Sequence, residues 1–153
     1  MENPLVSILI PFKNTERFLF ECLDSICAQG YTNWEVLAVD DHSSDASRQL
    51  VENMSLTDVR IKLFDTDGDG IIEALRTAYG ESSGELITRM DSDDIMASNK
   101  LQVMVDALLE HGKGHLAVGQ VNYFSEKGIG DGYARYEKWL NALTAMGDNY
   151  AEI

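Results

Sequence analysis

Short apolar runs alternate with helical patterns along this sequence, and this alternation restricts the possible folds more than any other feature. The first run, LVSILIPF at residues 5–12, has high β propensity, and a helical stripe follows it over 15–29. The pattern then repeats along the chain. We predict strands at 5–12, 35–39, 60–64, 85–90 and 115–124, and helices at 15–29, 44–53, 71–80, 99–111 and in a last segment with Tyr133, Tyr136, Leu140 and Leu143.

Strands that alternate with helices form βαβ units, which build a parallel sheet with right-handed crossovers. The strand runs are apolar on both faces, as in sheets that helices cover on both sides. The 153 residues contain no repeat and no linker-like segment, so we predict one doubly wound, mostly parallel α/β domain over 1–153. Ligands of such sheets bind beyond the carboxyl ends of the strands.

The charge balance excludes some classes of partner. The chain has 26 acidic and 12 basic side chains and a net charge of −14, which disfavours binding to nucleic acid or anionic lipid through general attraction. Small ligands and metal cations remain possible partners. No apolar stretch approaches the roughly 20 residues of a membrane span. Because there is no signal peptide pattern and Cys22 and Cys27 lack CxxC spacing, we predict a cytoplasmic protein with reduced thiols.

Two acidic clusters follow predicted strands. Asp40 and Asp41 end one strand, and RMDSDD places Asp91, Asp93 and Asp94 at the end of another. If both strands are parallel and central, these carboxylates meet at one edge and repel by about 4 kcal/mol per pair at 4 Å and a dielectric of 20. A cation among them, Mg²⁺ or Mn²⁺, relieves this repulsion and suits phosphate ligands. The structural alternative is that the aspartates only form turns and cap helices.

Four blocks of the sequence, IPFKN, VLAVDDHSSD, GIIEAL and GELITRMDSDD, together resemble a known family. Their order and spacing are similar to those of the nucleotide-sugar half of family 2 glycosyltransferases, which have the GT-A fold. The resemblance implies an enzyme that transfers a sugar from a nucleotide diphosphate-sugar, with UDP favoured, to a glycan or lipid-linked acceptor with inversion, in polysaccharide biosynthesis.

The resemblance also implies roles for single residues. Pro11 is expected against the base or ribose, and Asp41 is expected to accept a hydrogen bond from the base. In the DxD motif, Asp93 is the expected main ligand of Mn²⁺ or Mg²⁺, and Asp91 is expected near the ribose or the metal, which stabilises the leaving diphosphate. The expected nucleotide-binding residues are Pro11, Phe12, Asp40, Asp41, Arg76 and Asp91.

The sequence departs from the family pattern at several positions. Lys13 stands where the family often has an aromatic residue, so it is expected to face a phosphate or solvent instead of stacking on the base. His42 replaces a usual glycine and is expected to be an ordinary surface residue. Arg76 stands where many relatives have asparagine, and Ser98 where proline is common.

In this family the acceptor-binding half and the catalytic base follow the segment seen here. We therefore expect a chain that binds the donor but does not transfer sugar alone, and we assign no catalytic residue in it. The full-length protein is expected to associate peripherally with the membrane. Tyr133, Tyr136 and Trp139 are expected to pack against the missing half, in the core, or in an apolar patch that drives self-association.

Three alternatives remain open. DTDGDGIIEALR at 65–76 resembles an EF-hand calcium loop, although Arg76 replaces the bidentate glutamate at position 12. VLAVDDHSSD also resembles the acidic pair of a phosphoacceptor receiver domain, which shares the doubly wound sheet. The third alternative is a binding module that holds a nucleotide without catalysis.

Overall fold

Four parallel strands form the sheet of the computed structural model, which describes residues 3–147. The elements are β1 (Val6–Phe12), α1 (Leu19–Cys27), β2 (Trp34–Asp40), α2 (Ser47–Ser55), β3 (Ile61–Asp65), α3 (Ile71–Glu81), β4 (Leu86–Arg89), α4 (Lys100–His111) and α5 (Asp131–Met146). The strand order is β3-β2-β1-β4, with every pairing parallel. This is the order of the first four strands of a Rossmann sheet, and it differs from the 2-1-3 order of receiver domains. The predicted doubly wound α/β fold is confirmed.

Strand β1, one of the two central strands, is buried on both faces. Successive side chains of a strand point to opposite faces, so its residues enter two different clusters. Ile8 and Ile10 of β1 belong to a core cluster with Leu19, Leu23 and Ile26 of α1. On the other face, Leu9 belongs to a cluster with Leu37, Val39, Ala74 and Ala78. Each fully buried Leu or Ile contributes about 1.5–3 kcal/mol, so helices on both faces stabilise the sheet that carries the site.

A polar network at the amino ends of the strands joins β1, β2 and β3. The buried carboxylate of Glu35 accepts hydrogen bonds from Ser7 Oγ at 2.6 Å, from Lys62 Nζ at 2.7 Å and from the Ser83 N–H at 2.7 Å. Ser7 Oγ in turn accepts the Gly84 N–H at 2.8 Å. A Cβ on Gly84 would lie 2.6 Å from Ser7 Oγ, so the close approach of this loop to β1 requires glycine.

The first two helices begin later than predicted, at Leu19 and at Ser47. The sequence offers Thr15 as a possible cap of the first helix, but its hydroxyl does not cap α1. Instead, the Thr15 carbonyl accepts the N–H groups of Phe18 and Leu19, which form a turn before the helix. Asp45 accepts the Ser47 N–H at 3.0 Å, so it bonds the first turn of α2 as a capping side chain would. None of the helices in residues 3–147 is both long and apolar enough to cross a membrane.

The chain divides into two compact units, Met1–Val105 and Asp106–Ile153. In the second unit, the strand predicted at 115–124 is wrong, because this segment pairs with no strand in the described range. Side chains of α5 bind its backbone instead. Asn141 Oδ1 accepts the Val121 N–H at 2.8 Å, Asn141 Nδ2 donates to the Val121 carbonyl at 2.7 Å, and Glu137 accepts the Tyr123 N–H. The segment 115–124 has a β-like apolar pattern, but no neighbouring strand in the described range forms the hydrogen-bonded ladder that a strand requires.

Candidate functional site

The carboxyl ends of β1, β2 and β4 surround a cavity in the first unit. Since β1 lies between β2 and β4, the segments that follow all three strands meet at one edge of the sheet. The cavity has a volume of about 220 Å³, and three carboxylates and two cations are among its lining residues. The lining consists of Pro11, Phe12, Lys13, Thr15, Asp41, Ile71, Arg89, Asp91, Ser92 and Asp93.

Asp41 is the buried carboxylate of this cavity. Its backbone N–H donates to the Phe12 carbonyl at 2.9 Å, which extends the β1–β2 pairing by one residue. Its Oδ1 accepts the Gly70 N–H at 2.9 Å, and its Oδ2 accepts a hydrogen bond from Lys13 Nζ at 3.3 Å. The bond from Gly70 lowers the pKa of Asp41, burial opposes this effect, and Lys13 lowers the pKa further. Asp41 is therefore an ionised acceptor at neutral pH.

Asp40 does not line the cavity, although the sequence places it beside Asp41. It is the last residue of β2, and its Oδ1 accepts the Ser43 N–H at 2.9 Å. Its Oδ2 lies 3.7 Å from Arg48, which also pairs with Asp65 of β3. Asp40 therefore shapes the turn after β2 and links it to α2.

The DSDD segment after β4 supplies the other two carboxylates of the cavity. Asp91 Oδ1 accepts hydrogen bonds from Arg89 Nη2 at 2.6 Å and Nε at 3.0 Å. Asp93 has no ion pair or side-chain hydrogen bond within residues 3–147. Burial raises the pKa of the neighbouring Asp94, and the charges of Asp91 and Asp93 raise it further. Negative charge at this strand end is thus only partly compensated.

The negative charges of this segment also act on Cys22 of α1. Burial raises the pKa of the Cys22 thiol to about 12, with additional contributions from Asp94, Asp93 and Asp91. Its Sγ lies 3.6 Å from the Asp91 carbonyl oxygen. Cys22 and Cys27 are both free cysteines, and Cys22 remains a protonated packing residue.

The loop between β3 and α3 packs against the residue after Asp41. His42 Nε2 lies 3.2 Å from the Gly68 carbonyl oxygen and 3.6 Å from Asp69 Oδ1. Single ligand atoms of Asp41, His42 and Asp69 all lie within 4.8 Å of one another, close enough to hold one metal ion. Two of the three residues are exposed, and both oxygens of Asp41 already accept hydrogen bonds.

The geometry of this loop differs from that of an EF-hand. Asp65 is the last residue of β3 and pairs with Arg48, so a strand stands where an EF-hand has a helix. Arg76, the residue at the twelfth loop position, is exposed and pairs with Glu73 on α3.

The structure thus brings together most of the residues that the sequence singles out. Pro11, Phe12, Asp41, Asp91 and Asp93 all line the cavity, whereas Asp40 and Arg76 do not belong to its lining. The sequence pattern predicted no ligand-binding role for Arg89, Ser92, Thr15 or Ile71, which also line it. Arg89 could have been identified from its position two residues before Asp91. The hydroxyl of Thr15 is buried without a hydrogen-bond partner within residues 3–147, and no sequence pattern indicates this.

Comparisons with known proteins show what the chain is similar to. The family model "Glycosyl transferase family 2" matches residues 7–149. WfgD of Escherichia coli, a UDP-Glc:alpha-D-GlcNAc-diphosphoundecaprenol beta-1,3-glucosyltransferase, is 38% identical over 112 residues, which are 72% of this chain and 44% of that protein. Glycosyltransferase GlyA of Streptococcus pneumoniae serotype 4 is 32% identical over 152 residues, which are 95% of this chain and 21% of that protein.

A solved structure extends the similarity to the fold. The mannosyltransferase PcManGT from Pyrobaculum calidifontis, in complex with GDP-Man and Mn²⁺, superimposes with a TM-score of 0.63 and 29% identity over 70% of this chain and 33% of that one. The similarity agrees with a GT-A fold. The chain spans less than half the length of these relatives.

Proposed function

The chain belongs to glycosyl transferase family 2, and from this premise we propose that its cavity binds the nucleotide diphosphate of a sugar donor. The observation that carries the proposal is the meeting of Asp41, Asp91 and Asp93 around one cavity at the carboxyl ends of β1, β2 and β4. Ligands of open α/β sheets bind at this place.

Asp41 recognises the base in this proposal. Its ionised carboxylate accepts hydrogen bonds only, so it selects a base edge that presents an N–H, such as the imide of uracil. Pro11 and Phe12 form the wall beside it. UDP is the proposed nucleotide, and this choice is supported by the UDP-Glc donor in the name of WfgD.

Asp93 and Asp91 are the residues that hold a divalent cation, Mn²⁺ or Mg²⁺. The residues fit such an ion because both are hard oxygen donors on the cavity wall and Asp93 has no ion-pair partner in the described part of the chain. The chemistry that such an ion supplies is charge neutralisation of the departing diphosphate. The Mn²⁺ in the PcManGT complex supports this choice of metal.

The reaction of the full-length protein is the transfer of the sugar to a glycan or lipid-linked acceptor. The acceptor hydroxyl attacks the donor directly, which inverts the anomeric centre, and the base that activates it lies outside this chain. The diphosphoundecaprenol acceptor in the name of WfgD supports an acceptor of this class and peripheral association with the membrane.

Titration calorimetry with UDP, GDP and dTDP, each with Mn²⁺, with Mg²⁺ and with a chelator, tests this function. We expect UDP to bind in preference to the others and the chelator to weaken binding by about tenfold or more. Asp93→Asn should remove the dependence on metal, because it removes the unpaired carboxylate. Asp41→Asn should weaken binding with and without metal, because an amide nitrogen then faces the base.

The matched control is Asp24→Asn, which removes one exposed negative charge on α1, away from the cavity lining. It should bind like the unmodified chain. If Asp93→Asn retains the full metal dependence, the metal assignment is wrong. If all three nucleotides fail to bind under every condition, the proposed donor site is wrong.

A further inference from the structure

The cavity contains its own counter-ions. Two of its three carboxylates are already paired, Asp41 with Lys13 and Asp91 with Arg89. A donor with two phosphates must therefore enter a site in which each cation of the lining already contacts a carboxylate. How easily each cation leaves its partner decides which one can serve the ligand.

The two ion pairs differ in strength. Arg89 donates two N–H groups to Asp91 Oδ1, at 2.6 and 3.0 Å, and the two residues are only two positions apart at the end of β4. Lys13 makes a single contact with Asp41 at 3.3 Å, and the side chains of Lys13 and Arg89 are equally exposed, at 50%. A flexible ammonium with one long hydrogen bond is displaced more easily than a guanidinium with two. Lys13 is therefore the cation that can move.

The base that Asp41 binds competes directly with Lys13. Asp41 Oδ1 is held by the Gly70 N–H at 2.9 Å, a bond between backbone and a buried carboxylate that fixes the loop before α3. Oδ2 accepts only Lys13 within the described residues, so it is the oxygen that remains for a base N–H. When that N–H reaches Oδ2, the ammonium must leave it or share it.

We propose that Lys13 exchanges Asp41 for a phosphate of the donor when the base binds. This inference rests on the proposed donor site and assigns Lys13 a specificity role in it. An ammonium released from Asp41 loses its ion-pair partner at a half-exposed position, and a phosphate oxygen gives it a charge-assisted hydrogen bond in place of that partner. A nucleoside displaces Lys13 without offering it a new partner, whereas a nucleotide displaces it and also offers it a phosphate. Lys13 therefore makes the site selective for phosphorylated ligands.

The test compares UDP and uridine on the Lys13→Met variant, with uridine measured by its displacement of UDP in calorimetry. We expect UDP to bind about tenfold more weakly to Lys13→Met, because a charge-assisted hydrogen bond is lost. We expect uridine to bind as well as before or up to about threefold more tightly, because no ammonium has to be displaced. Lys13→Arg keeps the charge and should retain the preference for UDP.

Lys113→Met is the matched control, since Lys113 is exposed and lies outside the cavity lining. Equal losses for UDP and uridine in Lys13→Met would overturn the exchange and indicate a role on the base side. Unchanged UDP affinity would overturn it as well. If the unmodified chain does not bind UDP, the proposed function and this inference are both overturned. If it does bind UDP, the results for Lys13→Met test the exchange alone. Circular dichroism establishes that each variant is folded.

Discussion

Two non-glycine residues beside the cavity adopt left-handed backbone conformations, Asn14 at φ 53° and His42 at φ 57°. Asn14 is suited to this conformation, and its Oδ1 accepts the Ser44 N–H at 2.8 Å. Histidine also occurs in this region more often than most residues, but its Cβ is strained there, whereas the glycine that is usual at this position in the family is not. The His42 ring contacts the Gly68 carbonyl oxygen and Asp69 Oδ1, and its side chain is exposed, as the sequence suggests.

The strain at His42 can be measured with two substitutions. Both His42→Gly and His42→Ala remove the ring contacts, but only alanine keeps a Cβ in the left-handed conformation. We expect His42→Ala to be less stable than His42→Gly by about 1 kcal/mol. Urea unfolding followed by circular dichroism measures the difference, and equal midpoints for the two variants would contradict it.

At the scale of elements, the carboxylates at the two ends of the sheet have different surroundings. At the carboxyl ends, Asp93 has no counter-ion among residues 3–147. At the amino ends, hydrogen-bond donors from β1, β3 and the loop before β4 surround Glu35. Burial raises the pKa of Glu35, but the bonds from Lys62, Ser7 and Ser83 outweigh it and lower the pKa from 4.5 to about 2. The amino ends of the strands thus carry a structural network, and the carboxyl ends carry the proposed donor site.

The Glu35 network predicts part of the acid sensitivity of the fold. Because folding lowers its pKa, the unfolded chain binds the proton first as the pH falls. The stability that Glu35 contributes is therefore present above pH 4.5 and is lost as the pH falls towards 2. This loss amounts to about 3 kcal/mol at most.

Urea unfolding at several pH values tests this contribution. Glu35→Gln should be less stable than the unmodified chain at pH 7 and should lose less stability on acidification. The exposed Glu85→Gln should follow the unmodified chain. Parallel curves for Glu35→Gln and the unmodified chain would show that Glu35 does not titrate as described.

At the scale of the whole molecule, the cavity and the aromatic residues of α5 belong to different units. All residues of the cavity lining lie in Met1–Val105. In the second unit, Tyr123, Tyr133, Tyr136 and Trp139 form a chain of ring contacts with centroids 5.4 to 6.4 Å apart, and three of them are substantially exposed. Their packing against a missing half, or in self-association, remains a prediction.

Because the whole cavity lining lies in the first unit, we predict that nucleotide affinity is insensitive to the aromatic residues of α5. Tyr136→Ala and Trp139→Ala should leave the UDP dissociation constant within about twofold of the unmodified chain. Calorimetry under the conditions used for Asp93→Asn measures this. A loss as large as that of Asp93→Asn would show that the second unit contributes to donor binding.

Much of the site follows from pattern and topology. The apolar runs at β1 and β2 predict buried parallel strands, and parallel strands bring Asp41, Asp91 and Asp93 to one edge because their carboxyl ends coincide. The calcium loop remained an alternative because the spacing of its aspartates is visible in a short stretch of sequence. The helix that must flank such a loop depends on the rest of the fold, and the sequence pattern does not show it. The segment at 115–124 was predicted wrongly for a related reason, since a β-like pattern does not show whether a neighbouring strand exists.

The sequence by itself determined the α/β class, both buried faces of the sheet and the position of the acidic clusters, because these depend on periodicity within short segments. Only the tertiary structure decided that Asp41 lines the cavity while Asp40 binds Ser43 and Arg48. It also decided that Lys13 pairs with Asp41 and that Asp93 has no such partner in the described range. The physical reason is that the direction of a side chain and the identity of its counter-ion depend on strand register and loop packing between residues far apart in the chain.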